Sequence, residues 1–461
     1  MIDFHHLLVT VVAFIVLIGL MVIVHEFGHF AVAKLCKVRV EAFSFGFGPR
    51  LFGYKYGDTD YKVCLLPLGG FVKMTGEAPE QNLEAPGTHT EAPTDDPGAF
   101  TAHPRWQRML IGLAGPVANF LLAFALMLFY FSWINEVHDD VKTATVEWVV
   151  PGSAAAQAGF QVGDAIRRFE TVENPDWSLV ETRAVLNLNQ SVPVTVDRGG
   201  KTLQLSLHLP AEVKGQEFKL DKTGLMLQYL PGPIVVEEVT GNSPAAQAGL
   251  RDGDAIAAVD GHVFHTVIPM QSYLQDGKGK PVALTVIRNG ATLAPLVAHP
   301  AMIDSAWRLG ILEADPPGHP QPLPLPAAAA KARQFCADNS FLILEVLQRI
   351  FTRKVSASQL AGPVGIARMA GQAAEMKSWS PKFGLAAEIS LNLGILNLLP
   401  FPILDGGMIF LLLIEGAIRR DIDTNVKERI YQAAFVVLVA LFAFIIFNDV
   451  TKLPMFTHLK P

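Results

Sequence analysis

The feature that most constrains this 461-residue chain is a run of 18 uncharged residues, Leu7 to Val24, that ends directly on His25-Glu26-Phe27-Gly28-His29. At about 1.5 Å per residue, such a run is nearly long enough as a helix to cross the ~30 Å hydrocarbon core of a bilayer, and apolar residues resume after it. His25 and Glu26 then stand where ionisable groups cost roughly 2.5–3.5 kcal/mol each, so chemistry is the first explanation to test. Two histidines four apart share one helix face. Both imidazoles can therefore reach one zinc ion, with Glu26 beside them as general base. The start carries Asp3, His5 and His6 rather than the basic stretch of a cleaved leader, so the helix reads as retained.

Composition extends the membrane reading. Half the residues are hydrophobic and only 17% are charged, more apolar surface than a soluble chain of this size can bury. A second uncharged stretch, Met109 to Asn135, is entered through Arg105 and Arg108 and closes on Tyr130 and Trp133, which suit an interfacial belt. A third, Phe383 to Ile418, is interrupted by Glu388, Asn392, Asn397, Pro400, Pro402, Asp405 and Glu415; a fourth runs from Ile430 to Phe447. Four spans put both termini on one side. Lys34, Lys37, Arg39, Arg50, Lys55, Lys62 and Lys73 after the first span, and Arg419, Arg420, Lys427 and Arg429 after the third, mark those segments as cytoplasmic. The region from about 136 to 382 and both termini are then expected outside.

The formal charge of −6 comes without a basic face, which argues against a nucleic-acid partner. Cys36, Cys64 and Cys336 lie far apart, so neither a disulfide framework nor a cysteine zinc site is indicated. A third ligand must come from elsewhere, commonly a histidine or carboxylate. Asp405, in Asn397-Leu-Leu-Pro400-Phe-Pro402-Ile-Leu404-Asp405-Gly406, is the best candidate, because two prolines should break that helix and turn it toward an internal site. Glu388 and Glu415 compete but lack the Pro and Gly context.

The outer region repeats itself. Val149 to Ile166 reads VVPGSAAAQAGFQVGDAI, and Val239 to Ile256 reads VTGNSPAAQAGLRDGDAI. Each copy has a Ser, a short Ala-rich helix, a Gly and a GD turn before alternating strands, a pattern that resembles the PDZ domain of bacterial proteases. PDZ domains bind extended peptides by strand addition, and Gly224-Leu225 and Gly310-Ile311 are the expected ligand edges. On the cytoplasmic side, Val38 to Gly48 alternates like a strand and includes Gly46 and Gly48. Its exposed edge is expected to hold an unwound substrate. Gly76 to Ala99 is rich in Pro, Gly and acids and reads as a disordered loop. Ser340 to Phe351 reads as an interfacial helix too short to span.

HExxH on the first span, NxxPxPxLDG on the third, PLGGFVKM at Pro67 to Met74, GPVAN at Gly115 to Asn119 and the tandem repeat together resemble the bacterial site-2 proteases, M50-type intramembrane metalloproteases, and within them the sigma-E-regulating branch. The resemblance covers nearly the whole chain. It implies a membrane α-helical fold of four transmembrane helices with a membrane-associated β element and two tandem periplasmic PDZ domains. The divisions are 1–135, 136–225 and 226–320 for the two PDZ domains, 321–382 for a linker with amphipathic helices, and 383–461. It implies zinc held by His25, His29 and Asp405, Glu26 as catalytic base, and Asn397 on the substrate or oxyanion; Pro400, Pro402, Gly46, Gly48 and Asn119 are expected to complete the substrate-binding set. It also implies a Gram-negative inner-membrane location, in contact with lipid, and substrates such as a pre-shortened anti-sigma factor or remnant signal peptides. A membrane scaffold and a zinc transporter are the rival classes; an intact HExxH with a partnering Asp argues against the first, and a single polar ligand set against the second.

Overall fold

The computed structural model describes residues 4–76, 96–137, 141, 143–211, 218–303, 306–314, 319–352 and 362–451. The expected loop at Gly76 to Ala99 falls mostly outside them. The chain divides into two compact units: Met1–Glu136 with Pro320–Gln348 and Leu360–Pro461, and Val137–His319 with Arg349–Gln359.

The first unit is built on α1 (Phe4–Leu35) and α2 (Arg105–Phe129). Among the described residues, three stretches are long and apolar enough to cross a membrane: His5–Leu35, Arg105–Ile134 and Asn425–Phe447. Small residues let the helices touch. A Cβ on Gly28 would run into the Ala114 carbonyl of α2, and one on Gly112 into the Met408 side chain. Close backbone approach of this kind is what holds helices together where lipid removes the usual hydrophobic drive. The Pro-containing stretch is broken, as its prolines require: α9 (Ser380–Asn397) and α10 (Asp405–Ile418) are separated by residues 398–404. The last helix, α11 (Thr424–Thr451), carries buried Asp449, which accepts hydrogen bonds from the Gly362, Val364 and Gly365 amides at the start of α8 (Pro363–Glu375).

Between α1 and α2 lies a long hairpin, β1 (Val40–Tyr56) and β2 (Thr59–Met74). Its two arms fold back so that residues 42–45 have partners on both sides: Phe43 is paired with Val72 and with Tyr61, and Phe45 with Gly70 and with Val63. This corrects the expectation of a free edge at Val38 to Gly48. Period-two alternation identifies a strand but not its place in the sheet, and here the 42–45 segment is interior. The tip exposes Leu51, Phe52, Tyr54 and Tyr56, a surface suited to a bilayer interface. The short helix expected at Ser340 to Phe351 is also longer than that: α7 (Leu325–Phe351) has 27 residues. Its Ala328 and Ala332 are buried with Ala123 and Met127 of α2 and Ala387 and Leu391 of α9. Alanines mark no apolar stripe by themselves, yet they permit this close packing.

The second unit contains two copies of one fold. In the first, Ser153 caps α3 (Ala154–Ala158) by accepting from the Ala156 amide; in the second, Ser243 caps α5 (Pro244–Ala248) through the Ala246 amide. Gly159 and Gly249 close these helices at φ +90° and +87°. The sheets share a register: Ala165 pairs with Asp197 and Ile166 with Val196, while Ala255 pairs with Ile287 and Ile256 with Val286. Asp164 is fixed by Arg198 at 2.6 Å, and Asp254 by Arg288 at 2.7 Å, two-pronged in each case. Each copy keeps its own core, around Phe169 and Val194 with α4 (Trp177–Leu186) in one and around Phe264 and Leu284 with α6 (Val267–Gly277) in the other.

Candidate metal centre

Helix geometry places His25, Glu26 and His29 in the last third of α1, directly after its uncharged apolar run. His25 and His29 are buried, with their Nε2 atoms 3.2 Å apart. Asp405, in the first turn of α10, brings Oδ2 to 3.1 Å from His25 Nε2 and Oδ1 to 3.4 Å from His29 Nε2. Zinc with arms of about 2.0–2.1 Å in a tetrahedron spaces its ligand atoms about 3.3–3.4 Å apart, close to these separations.

The residues present fit such an ion. Two imidazole nitrogens facing each other and a carboxylate are an arrangement of converging lone pairs. Asp405 Oδ2 is buried without a hydrogen bond despite its nearness to His25. Among the described residues this is the only group of three or more His, Cys, Asp or Glu side chains able to share one ion. Space is reserved for the rings by Gly115 of α2, where a Cβ would strike His29 Nε2 and lie 2.8 Å from His25 Cε1. The opposite ring nitrogens are also engaged: His29 Nδ1 lies 2.8 Å from the Ile111 carbonyl, and His25 Nδ1 lies 3.2 Å from the Asn119 amide.

The break between α9 and α10 delivers Asp405. Gly406 and Gly407 pack so tightly on Leu398 and Phe401 that side chains there would collide with backbone. Asn397, at the end of α9, presents Nδ2 3.3 Å from His25 Nε2. Glu26 meets the hairpin: a Cβ on Gly70 would stand 3.2 Å from Glu26 Cγ, so the glycine at this position lets the second arm of the hairpin approach the centre.

The remaining sequence candidates fall in different places. Asn119 is fully buried, and its backbone carbonyl accepts from Ser390 Oγ at 2.8 Å. Pro400 is exposed and Pro402 partly exposed in the broken segment. Gly46 and Gly48 have φ +86° and +87° and shape the hairpin itself. Glu415 is fully buried but engaged by Lys427 at 2.5 Å and the Ile422 amide, which takes it out of contention as a ligand. Glu388 is not in the cluster either. Gly70 and Gly115 are contributors the sequence reading did not single out, although both lie inside its PLGGFVKM and GPVAN motifs.

Comparison with known proteins agrees with this geometry. The model for peptidase family M50 matches residues 13–441. The regulator of sigma-E protease RseP of Salmonella typhimurium is 34% identical over 463 residues, covering 96% of this chain and 98% of the relative. The protein of the same name from Escherichia coli K12 is 32% identical over 462 residues with the same coverage. Protease RseP of Yersinia pestis is 32% identical over 475 residues, covering 96% and 99%. The chain therefore belongs to peptidase family M50, the zinc metalloproteases.

Proposed function

We propose that this protein is an intramembrane endopeptidase in which His25, His29 and Asp405 hold zinc, Glu26 is the general base, and the substrate is a membrane-spanning segment already shortened on its outer side. The observation that carries this reading is the convergence of three ligand atoms, with Glu26 on the same helix, where that helix is long and apolar enough to cross a membrane. When bound, zinc supplies a Lewis acid that acidifies water and polarises the scissile carbonyl. Glu26 takes the proton of the attacking water and returns it to the leaving amine nitrogen. Asn397, with its amide beside His25, donates to the developing oxyanion.

A helical substrate has its amides bonded internally and must unwind before it can be cut. The second hairpin arm at Gly69 to Val72 is paired with β1 on one side and approaches Glu26 at Gly70. Its other side is the edge on which an unwound segment adds as a strand. This assignment replaces the interior strand 42–45.

Crossing the membrane four times, with α9 and α10 as the third crossing, places the repeats in the periplasm of a Gram-negative cell. The repeats act as PDZ domains. Leu225–Leu227 pairs with Val146–Val149, and Ile311–Glu313 with Ile234–Val239, each strand preceded by a glycine near φ +77°. The relatives named as regulators of sigma-E protease support an anti-sigma factor as substrate, with remnant signal peptides as a second class. Purified protein offered a model membrane peptide tests the proposal. Cleavage should stop with chelator and with Glu26→Gln, which should retain zinc while losing at least about 10²-fold in rate. Wild-type cleavage by Glu26→Gln would remove the general base from the account.

A further inference from the structure

Asn119 lies on α2, fully buried, with its amide against a metal-binding histidine. Its Nδ2 is 3.2 Å from His25 Nδ1, and its Oδ1 is buried without a hydrogen-bond partner. His25 faces Asp405 and His29 through Nε2. A neutral imidazole that gives its Nε2 lone pair to a metal carries its proton on Nδ1, and that proton needs an acceptor. His29 has one, the Ile111 carbonyl at 2.8 Å. For His25 the group in place is the Asn119 amide.

An amide N–H directed at a protonated Nδ1 sets donor against donor. A half-turn about the Asn119 Cβ–Cγ bond exchanges nitrogen and oxygen without moving the backbone, and places the unpartnered Oδ1 on the Nδ1 proton. One end of the amide lacks a partner in either orientation, so the contact with His25 decides between them. The backbone does not need to adjust, because Ser390 Oγ already holds the Asn119 carbonyl and fixes the residue between α2 and α9.

We infer that Asn119 is a positioning residue, its side-chain oxygen accepting the Nδ1 proton of His25 and so holding the ring in the tautomer and orientation that offer Nε2 to zinc. It replaces the substrate contact expected from the sequence: a residue with no exposed surface that meets the ring of a ligand acts through that ligand. The inference rests on His25 being a zinc ligand, and its test separates the two.

Zinc affinity is measured on the full-length protein in detergent by competition with a chromophoric chelator, for wild type, His25→Ala, Asn119→Leu and Asn119→Asp. The visible spectrum of the cobalt-substituted forms is recorded alongside. Asn119→Leu should weaken zinc about 10- to 100-fold and alter the cobalt spectrum. Asn119→Asp, of the same shape and with an oxygen whichever way it turns, should restore both. If His25→Ala retains wild-type affinity, the ligand assignment itself fails. If His25→Ala loses zinc while Asn119→Leu binds as tightly as wild type, or if Asp weakens binding as much as Leu, the positioning role is wrong. Should Asn119→Leu not fold, Asn119→Asp decides alone: affinity and spectrum at wild-type level support the role, and loss of either overturns it.

Discussion

Gly115 shows how little room the metal centre leaves. A single methyl at that position would occupy the space of the His29 ring nitrogen, so Gly115→Ala should push the ring aside. We expect at least a 10-fold loss of zinc affinity, with the helical content retained, read by metal analysis and circular dichroism. Asp405→Ala removes a ligand outright and should leave purified protein with well under one zinc per chain; full retention would transfer that role to another carboxylate. Much at this scale was legible beforehand. HExxH spacing defines a shared helix face whatever the rest of the fold does, and the two prolines before Asp405 announced a broken helix. What stayed hidden was which neighbours close the shell. Glu415 is as acidic and as buried in its context as any ligand, but only the folded chain shows Lys427 engaging it. The roles of Gly115 and Gly70 are properties of contacts between elements, and local sequence does not encode which surfaces meet.

At the scale of elements, the hairpin shows the same limit. Alternation along Val38 to Gly48 made a strand legible, but the order of strands depends on how the arms fold back, which leaves 42–45 interior and puts the edges at 50–56 and 70–74. The repeated serine cap, glycine and GD turn were legible because eighteen aligned positions carry them in one register. The contact between the two copies was not. Glu147 from the first copy reaches the second, accepting from the His265 amide at 2.6 Å, while Trp148 packs on Phe264 and Tyr273. Burial pushes the Glu147 carboxyl up to about 7, against the pull of the His265 and Thr266 amides and with the charge of Glu313. A carboxyl raised in the folded state binds its proton more tightly there than in the unfolded chain. Its contribution is therefore full below about pH 4.5 and lost as pH rises toward 7. Burial pushes His265 down, an effect of opposite sign that persists when Glu147 is replaced. Glu147→Gln should therefore stabilise the unit at pH 8 by on the order of 2 kcal/mol and, relative to wild type, remove the loss of stability as pH rises from 5 to 8. Proteolysis across a urea gradient reads this directly, and a parallel pH profile in the variant would show that Glu147 does not drive it.

For the whole molecule, the proposed function assigns chemistry and selection to different parts of the chain. Along the 18-residue apolar run, the ligands on α1 stand about 27 Å from its N-terminal end, so on the proposed topology a periplasmic domain would select substrates without touching the scissile bond. Removing residues 140–315 should leave zinc bound and allow cleavage of substrates that still carry large outer domains. A deleted form that holds zinc but cleaves nothing would rule out selection by exclusion. Point changes at Gly224 or Gly310 are poor substitutes for that deletion, because a Cβ at either would meet Ser153 or Ser243 and disturb the turn itself. Sidedness is checked at Cys36, which is partly exposed and should label only from the cytoplasm; Cys64 is buried and uninformative. The most direct measurement is the mass of the products when the reconstituted full-length protein meets a membrane-spanning substrate trimmed on its outer side. The account predicts new termini inside the apolar segment, absent with chelator and with Glu26→Gln. Products cut only outside that segment, or unchanged in the variant, would contradict it.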